Sequence, residues 1–285
     1  MTMALGRYAK RYLPQPAVDV LRLMKYRMDL ATFPKKVVQH VYGSHAFQMN
    51  ISDRIASEWY DKDWTLPPEI DFFSHGQIAK SGRIFDLGAH QCLIAMLLAR
   101  DIVPEGEIVA IEANQHNAAM ARDNLTLNHV DNVDVVHALV SRTSGRAHAD
   151  FSFNSRAKQG LGALVGEAIE GISIDDLSRR KGWPDLVYLD IEGFEIEALK
   201  GASETLAHWC HWFVELHGDE MLARYGARNA DILQFFGREK FARYVCMPEG
   251  DSFRLVTENE PVPVERCYLI FAPRSARLLD GDRAA

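Results

Sequence analysis

Cysteine is scarce in this chain: Cys92, Cys210, Cys246 and Cys267 are scattered, with no CxxC pair and no paired Cys/His spacing. That distribution argues against a zinc site or a disulfide framework and fits a reducing compartment. Long apolar runs are missing as well. No stretch approaches a membrane span, and the opening MTMALGRYAKRYLPQPAV has no apolar core of signal length. A cytoplasmic protein without a transmembrane segment is therefore expected. A phosphate loop of the GxxxxGK(S/T) type and internal repeats are absent too.

What is present is an ordinary globular composition, 47% apolar and 25% charged, able to bury a core. Charge is uneven. Residues 1–36 carry eight Lys/Arg (Arg7, Lys10, Arg11, Arg22, Lys25, Arg27, Lys35, Lys36) against Asp19 and Asp29, a net +6; this leaves −13 for the rest of a chain whose total is −7. A basic, amphipathic start suits peripheral contact with an anionic membrane surface or an acidic partner. A solvated helical arm packed on the main body is the simpler reading. The acidic remainder argues against nucleic acid as a partner, because phosphate binding needs a concentrated basic surface.

Residues 1 to about 40 read as helix broken at Pro14, Pro16 and Pro34, AFQMNIS alternates like a strand, and DRIASEWYDKDW opens a helix behind an Asp cap. From residue 83 the strands GRIFDL, GEIVAIEA, VDVVHALVS, PDLVYLDIE and HWFVELHG alternate with helical stretches. Such alternation implies an α/β fold with a parallel sheet covered on both faces. KFARYVCMPEG, DSFRLVT and ERCYLIFAP then read as strands closing in an antiparallel pair. The expected organisation is an N-terminal helical extension over 1–80, a main domain over 81–273 and a loose tail over 274–285. The Gly-rich stretch 155–171 reads as a mobile loop or surface insertion.

The most informative stretch is RIFDLGAHQCLIAMLLA, residues 83–99: a strand ending on Asp86, a turn at Gly88, then a helix. The next strand ends on Glu112, 24 residues beyond Gly88, where a carboxylate can accept both hydroxyls of a ribose. That much suits NAD or an adenosyl cofactor equally. The turn separates them, because Gly88-Ala89-His90-Gln91-Cys92 carries side chains where GxGxxG would let backbone approach a pyrophosphate. Asp86 also favours a ligand with an ammonium and a sulfonium over phosphates. Further on, LDIEGFE places Asp190 at a strand end, with Glu192 and Glu195 opening the following helix, where its dipole favours negative charge. VELHG puts Glu215 and His217 on one face of the neighbouring strand.

FDLGAHQCLIAMLLA, EIVAIEANQHNAAMARDNLTLN, ISIDDL and YLDIEGFEIEALKGA together resemble the FkbM-type methyltransferases, a branch of the S-adenosylmethionine-dependent class I methyltransferases, over roughly residues 83–217. The resemblance implies a class I methyltransferase (Rossmann-like) fold: a doubly wound, mostly parallel seven-stranded sheet with an antiparallel C-terminal hairpin. It implies S-adenosyl-L-methionine as cofactor, with Asp86, Gly88 and His90 at its methionine end, Glu112 on the ribose, Asn114 at the adenosine edge, and Ala138 and Leu139 near the adenine. Cys92 stands where relatives usually carry a second glycine, and their EPN is here Glu112-Ala113-Asn114.

Methyl transfer to a hydroxyl calls for a base. His217 is the first candidate and Asp190 the second, with Glu192 and Glu215 converging on them. The same cluster holds ligands enough for a divalent cation, although a hydroxyl acceptor does not require one. The expected acceptor, from the resemblance, is the hydroxyl of a sugar, glycan or small metabolite. Tyr42, Trp59, Tyr60 and Trp64 read either as sugar-stacking groups or as core. A methyltransferase-like binding module without catalysis, and an NAD(P) oxidoreductase, are the alternatives.

Overall fold

The computed structural model describes residues 14–149, 167–257 and 260–274. Expectations for residues 1–13, for 155–166 of the Gly-rich stretch and for the tail from 275 lie outside the described residues. The chain opens with helix α1 (Gln15–Thr32), which stops ahead of Pro34. It continues not as helix but as a hairpin of β1 (Lys36–Tyr42) and β2 (His45–Ile51). The β-branched Val37, Val38 and Val41 favour strand over helix here, and Gly43, at φ +61, makes the two-residue turn. The extension is thus helix plus hairpin. Phe47, Met49 and Ile51 of β2 are buried in the same core as the main sheet. Asp53 caps α2 (Arg54–Tyr60) by accepting from the Ala56 amide at 2.8 Å, as its position predicts. Helix α3 (Pro68–Ser74) follows and is tied down by Glu69, whose carboxylate accepts from the Tyr188 hydroxyl at 2.9 Å.

The main sheet then begins. Its parallel part comprises β3 (Arg83–Leu87), β4 (Glu107–Glu112), β5 (Val133–His137), and later β9 (Leu186–Leu189) and β10 (His211–Leu216). Between β5 and β9 a side sheet forms from β6 (Leu139–Val140), β7 (Gly145–Ala149) and β8 (Glu167–Ile172), so the end of the Gly-rich stretch is strand. The last strands are β11 (Phe241–Cys246), β12 (Arg254–Leu255) and β13 (Cys267–Pro273). β13 runs antiparallel between β10 and β11. The order β12-β11-β13-β10-β9-β3-β4-β5 holds eight strands rather than seven, the extra one being two-residue β12 at the edge.

Alternate residues of each strand feed two cores. Ile84, Ala110, Tyr188 and Phe213 face the hairpin, α3, α4 (Leu93–Leu97) and α5 (Gln115–Leu127). Phe85, Ile111, Val187 and Trp212 face α6 (Ile174–Lys181) and α7 (Glu195–Leu199). Strand order reverses between β3 and β9, and a sheet of this kind binds ligands beyond the carboxyl ends of its strands at such a switch point. Two expected helices are shorter than they read. FEIEALKGASETLA breaks around Gly201 into α7 and Ser203–Ala207, and a side chain at 201 would run into the Arg142 carbonyl; ARNADILQFFGRE forms a 3-10 helix over Asn229–Phe235.

Candidate active site

Gly88 sits at the switch point with φ +98, and a Cβ there would lie 1.8 Å from the Asp190 carbonyl oxygen. Only glycine lets the turns after β3 and β9 touch. His90 (φ 47) and Cys92 (φ 65) are left-handed as well. Position 92 therefore favours glycine on backbone grounds, and a cysteine there costs about 1–2 kcal/mol. Neighbouring elements hold the turn in this shape. Gln91 donates its side-chain amide to Asp53 at 2.9 Å, its carbonyl accepts from Asn124 at 3.0 Å, and the Tyr60 hydroxyl meets His90 Nδ1 at 2.6 Å. Burial pushes His90 down to about 4, so its ring is neutral near pH 7.

Glu112, at the tip of β4, spans two backbone amides: Oε2 accepts from His90 N at 2.8 Å and Oε1 from Asn114 N at 2.6 Å. Asn117 and the Ala113 amide also favour its charged form, and Glu112 lines a cleft through which the hydroxyls of a ligand can reach it. Asp86 lies deeper, 1% exposed, with Oδ2 lacking a partner. Burial, and then the Glu112 charge, raise Asp86 to about 7; burial raises Glu112 to about 7. Two buried carboxyls with an unmet oxygen form a donor set suited to a cationic ligand bearing a diol. S-adenosylmethionine is such a ligand, and the residues present fit it. Asn114 has a structural occupation: it caps α5 through His116 N at 2.9 Å, and its amide donates to Tyr26 at 2.9 Å.

A cleft open to solvent is lined by Gly88, His90, Glu112, Ala138, Leu139, Asp190 and Glu192 together with Ile55, Trp59 and Phe194. Asp86 and Asn114 are not in that lining. Trp59, 40% exposed, is the one of the four expected aromatics on the cleft wall, whereas Tyr42 and Tyr60 are core. Ile55 and Trp59 share a face of α2 at i, i+4. That spacing is visible in the sequence, but nothing there says the face meets the cofactor turn.

Past Asp190 the acidic residues do converge on His217. The imidazole Nδ1–H donates to Glu195 Oε1 at 3.0 Å, and that oxygen also accepts from Gly193 N at 2.9 Å. On the other side Nε2 is 3.5 Å from Asp190 Oδ1, 3.5 Å from Glu215 Oε1 and 3.8 Å from Glu192 Oε2. Glu192 (φ 55) and Gly193 (φ 96) make the left-handed turn that brings this about. Burial alone would lower His217, but the Glu195 hydrogen bond and the charges of Glu195, Asp190 and Glu215 outweigh it and raise the ring to about 10. Burial, reinforced by Glu215, lifts Asp190 well above the carboxylate range. Two members escape sequence reasoning: Glu195 is fully buried and orients His217, and Arg266, at the start of β13, pairs with Glu215.

The sequence matches the family model for the methyltransferase FkbM domain over residues 86–244, a span containing every site residue above from Asp86 to His217. The chain belongs to the FkbM methyltransferase family. A methyltransferase family implies S-adenosylmethionine as donor, and the carboxylates of Glu112, on the cleft wall, and of buried Asp86 suit its charge. Among solved structures this FkbM methyltransferase is similar to methyltransferase FkbM from Methylobacillus flagellatus KT (18% identity, TM-score 0.43, covering 67% of this chain and 44% of that one). It is similar to precorrin-6y C5,15-methyltransferase from Geobacter metallireducens GS-15 (18%, 0.42, 72% and 88%). It is also similar to a SAM-dependent O-methyltransferase from Thermotoga maritima (14%, 0.43, 84% and 77%). The chain spans less than half the length of the Methylobacillus protein. A search of curated proteins finds no match. Among the described residues no helix is long and apolar enough to cross a membrane.

Proposed function

We propose that this FkbM methyltransferase is a cytoplasmic O-methyltransferase acting on a hydroxyl of a sugar, glycan or small metabolite. The observation that carries the reading is that one cleft is lined by Gly88 and Glu112 and also by Asp190 and Glu192. Bound S-adenosylmethionine supplies a methyl group on a cationic sulfur. Glu112 receives the ribose hydroxyls, and Ile111, Ala138, Leu139 and Val140 form the apolar wall for the adenine. Asp86 and Glu112 give the turn a negative field that suits an ammonium and a sulfonium. A neutral His90 adds no opposing charge.

The work left to the protein is alignment, worth roughly 7–11 kcal/mol in favourable cases, and removal of a proton from the hydroxyl. An imidazole held as imidazolium cannot take that proton, so His217 serves as the charge partner of the cluster rather than its base. Of the two members on the cleft wall, Asp190 and Glu192, burial holds Asp190 well above the carboxylate range, so Glu192 is the proton acceptor. Trp59 offers a ring face to a sugar. The acidic body of the protein favours such an acceptor over nucleic acid.

The test is transfer from deuteriomethyl-labelled S-adenosylmethionine to panels of glycosides, hydroxylated metabolites, RNA and peptides, read by mass spectrometry. Label in a methyl ether of a non-nucleic-acid acceptor supports the proposal. Label on nitrogen or on RNA overturns it. Binding of S-adenosylhomocysteine with no transfer to any acceptor would favour a binding module.

A further inference from the structure

We propose that Asp190, Glu215 and His217 form a site for one divalent cation of the Mn2+ or Mg2+ class beside the acceptor end of the cleft. One oxygen from each carboxylate and one imidazole nitrogen lie within 4.8 Å of one another. Nε2 is 3.5 Å from each of the two oxygens. In an octahedral shell with bonds of about 2.1 Å, adjacent ligands are about 3 Å apart and opposite ones about 4 Å. A contraction of about half an ångström would bring both Nε2···O distances to the spacing of adjacent ligands.

A second observation is independent of the acidic cluster. The His217 side chain is 5% exposed and its Nε2 has no hydrogen-bond partner. Its Nδ1–H is committed to Glu195, which Gly193 fixes in turn. An imidazole oriented by a carboxylate through one nitrogen, with the other nitrogen turned into a set of oxygens, is the usual arrangement of a metal-ligating histidine.

Charge points the same way. Asp190, Glu192, Glu195 and Glu215 surround the ring, and Arg266 is the guanidinium paired with Glu215. A bound ion displaces the protons on His217 and Asp190; the four carboxylates and Arg266 then sum to −3, which a divalent cation reduces to −1. Two carboxylates and one imidazole, with no thiolate, suit a hard ion. Asp190 lines the cleft, so the remaining coordination positions open onto it. The role of the ion rests on the proposed O-methylation: it would hold the acceptor hydroxyl and ease loss of its proton, with Glu192, outside the triplet and on the cleft wall, left to receive it.

The test uses the full chain, stripped with EDTA, desalted and titrated with Mn2+. Free ion is followed by electron paramagnetic resonance, and S-adenosylhomocysteine binding is measured on the same samples. The expected result is one Mn2+ per chain, displaced by excess Mg2+. Binding should be lost in Asp190→Asn, and weakened about 10–100-fold in Glu195→Gln, which disturbs only the group orienting His217. Circular dichroism confirms that the variants are folded; Asp190 is partly exposed and tolerates the exchange. Absence of Mn2+ binding, or binding unchanged in Asp190→Asn, overturns the site. If S-adenosylhomocysteine still binds in that case, the methyltransferase reading stands without it. Mn2+ binding without S-adenosylhomocysteine binding supports the cation site while counting against the cofactor reading.

Discussion

Asp86→Asn should give a protein that is more stable when unliganded and poorer at binding cofactor. Asp86 is held at about 7 against an ordinary 3.8, first by burial and then by the Glu112 charge. A carboxyl raised in the fold binds its proton more tightly folded than unfolded. Its contribution to stability is therefore complete below about pH 4 and lost as pH rises through about 7. At about 1.36 kcal/mol per unit, the ionised group costs on the order of 4 kcal/mol by pH 8. Asparagine removes that cost but leaves an amide where Oδ2 has no partner, a penalty of about 1–3 kcal/mol. The net expectation is a gain of about 1–3 kcal/mol at pH 8 and no gain, or a loss, near pH 4. Affinity for S-adenosylhomocysteine should fall by about tenfold, since part of the negative field on its ammonium is gone. Urea unfolding at the two pH values, with calorimetric titration of S-adenosylhomocysteine, measures both effects. An equal loss of stability at both pH values would refute the reasoning, because a purely steric defect does not depend on proton binding.

Other substitutions separate fold from function. Gly88→Ala should destabilise the protein by about 3 kcal/mol or more and abolish cofactor binding, since its Cβ would fall against the Asp190 carbonyl at a positive φ; thermal unfolding checks this. Glu112→Gln should weaken S-adenosylhomocysteine by about 1–3 kcal/mol, because its NH2 must face a backbone N–H of His90 or Asn114. Unchanged affinity in the titration would make Glu112 purely structural. Trp59→Ala, at a cleft-lining and partly exposed site, should change stability by less than about 1 kcal/mol while raising the acceptor KM and leaving cofactor affinity alone. Steady-state kinetics with a sugar acceptor would show it.

The parallel sheet was legible because β3, β4, β9 and β10 are short apolar runs, almost wholly buried, and β3, β4 and β9 end at or just before Gly88, Glu112 and Asp190. Asp86, Gly88 and Glu112 could be read because a nucleotide cleft needs those residue types at strand ends, and their spacing is local. What failed was whatever depends on distant partners. KVVQHVY follows a helix and a proline, and its β-branched valines become a strand through pairing with β2. Glu195 looks like a helix N-terminal acid, yet it is fully buried against His217. His217 reads as a base from its place at a strand end; that the Glu195 hydrogen bond and the charges of Glu195, Asp190 and Glu215 would raise it to about 10 depends on partners the sequence does not bring together. The eighth strand lies within DSFRLVT, which reads as a strand, but only two residues pair, Leu255 with Tyr244 and Arg254 with Val245.

The central claim is that the Asp86–Glu112 end of the cleft holds S-adenosylmethionine. Isothermal titration of the full chain with S-adenosylhomocysteine, with NADH as comparison, tests it most directly. The account predicts one S-adenosylhomocysteine per chain, strongly weakened in Glu112→Gln, and no heat from NADH. A folded protein that gives no signal with S-adenosylhomocysteine, or that binds NADH in its place, would contradict it.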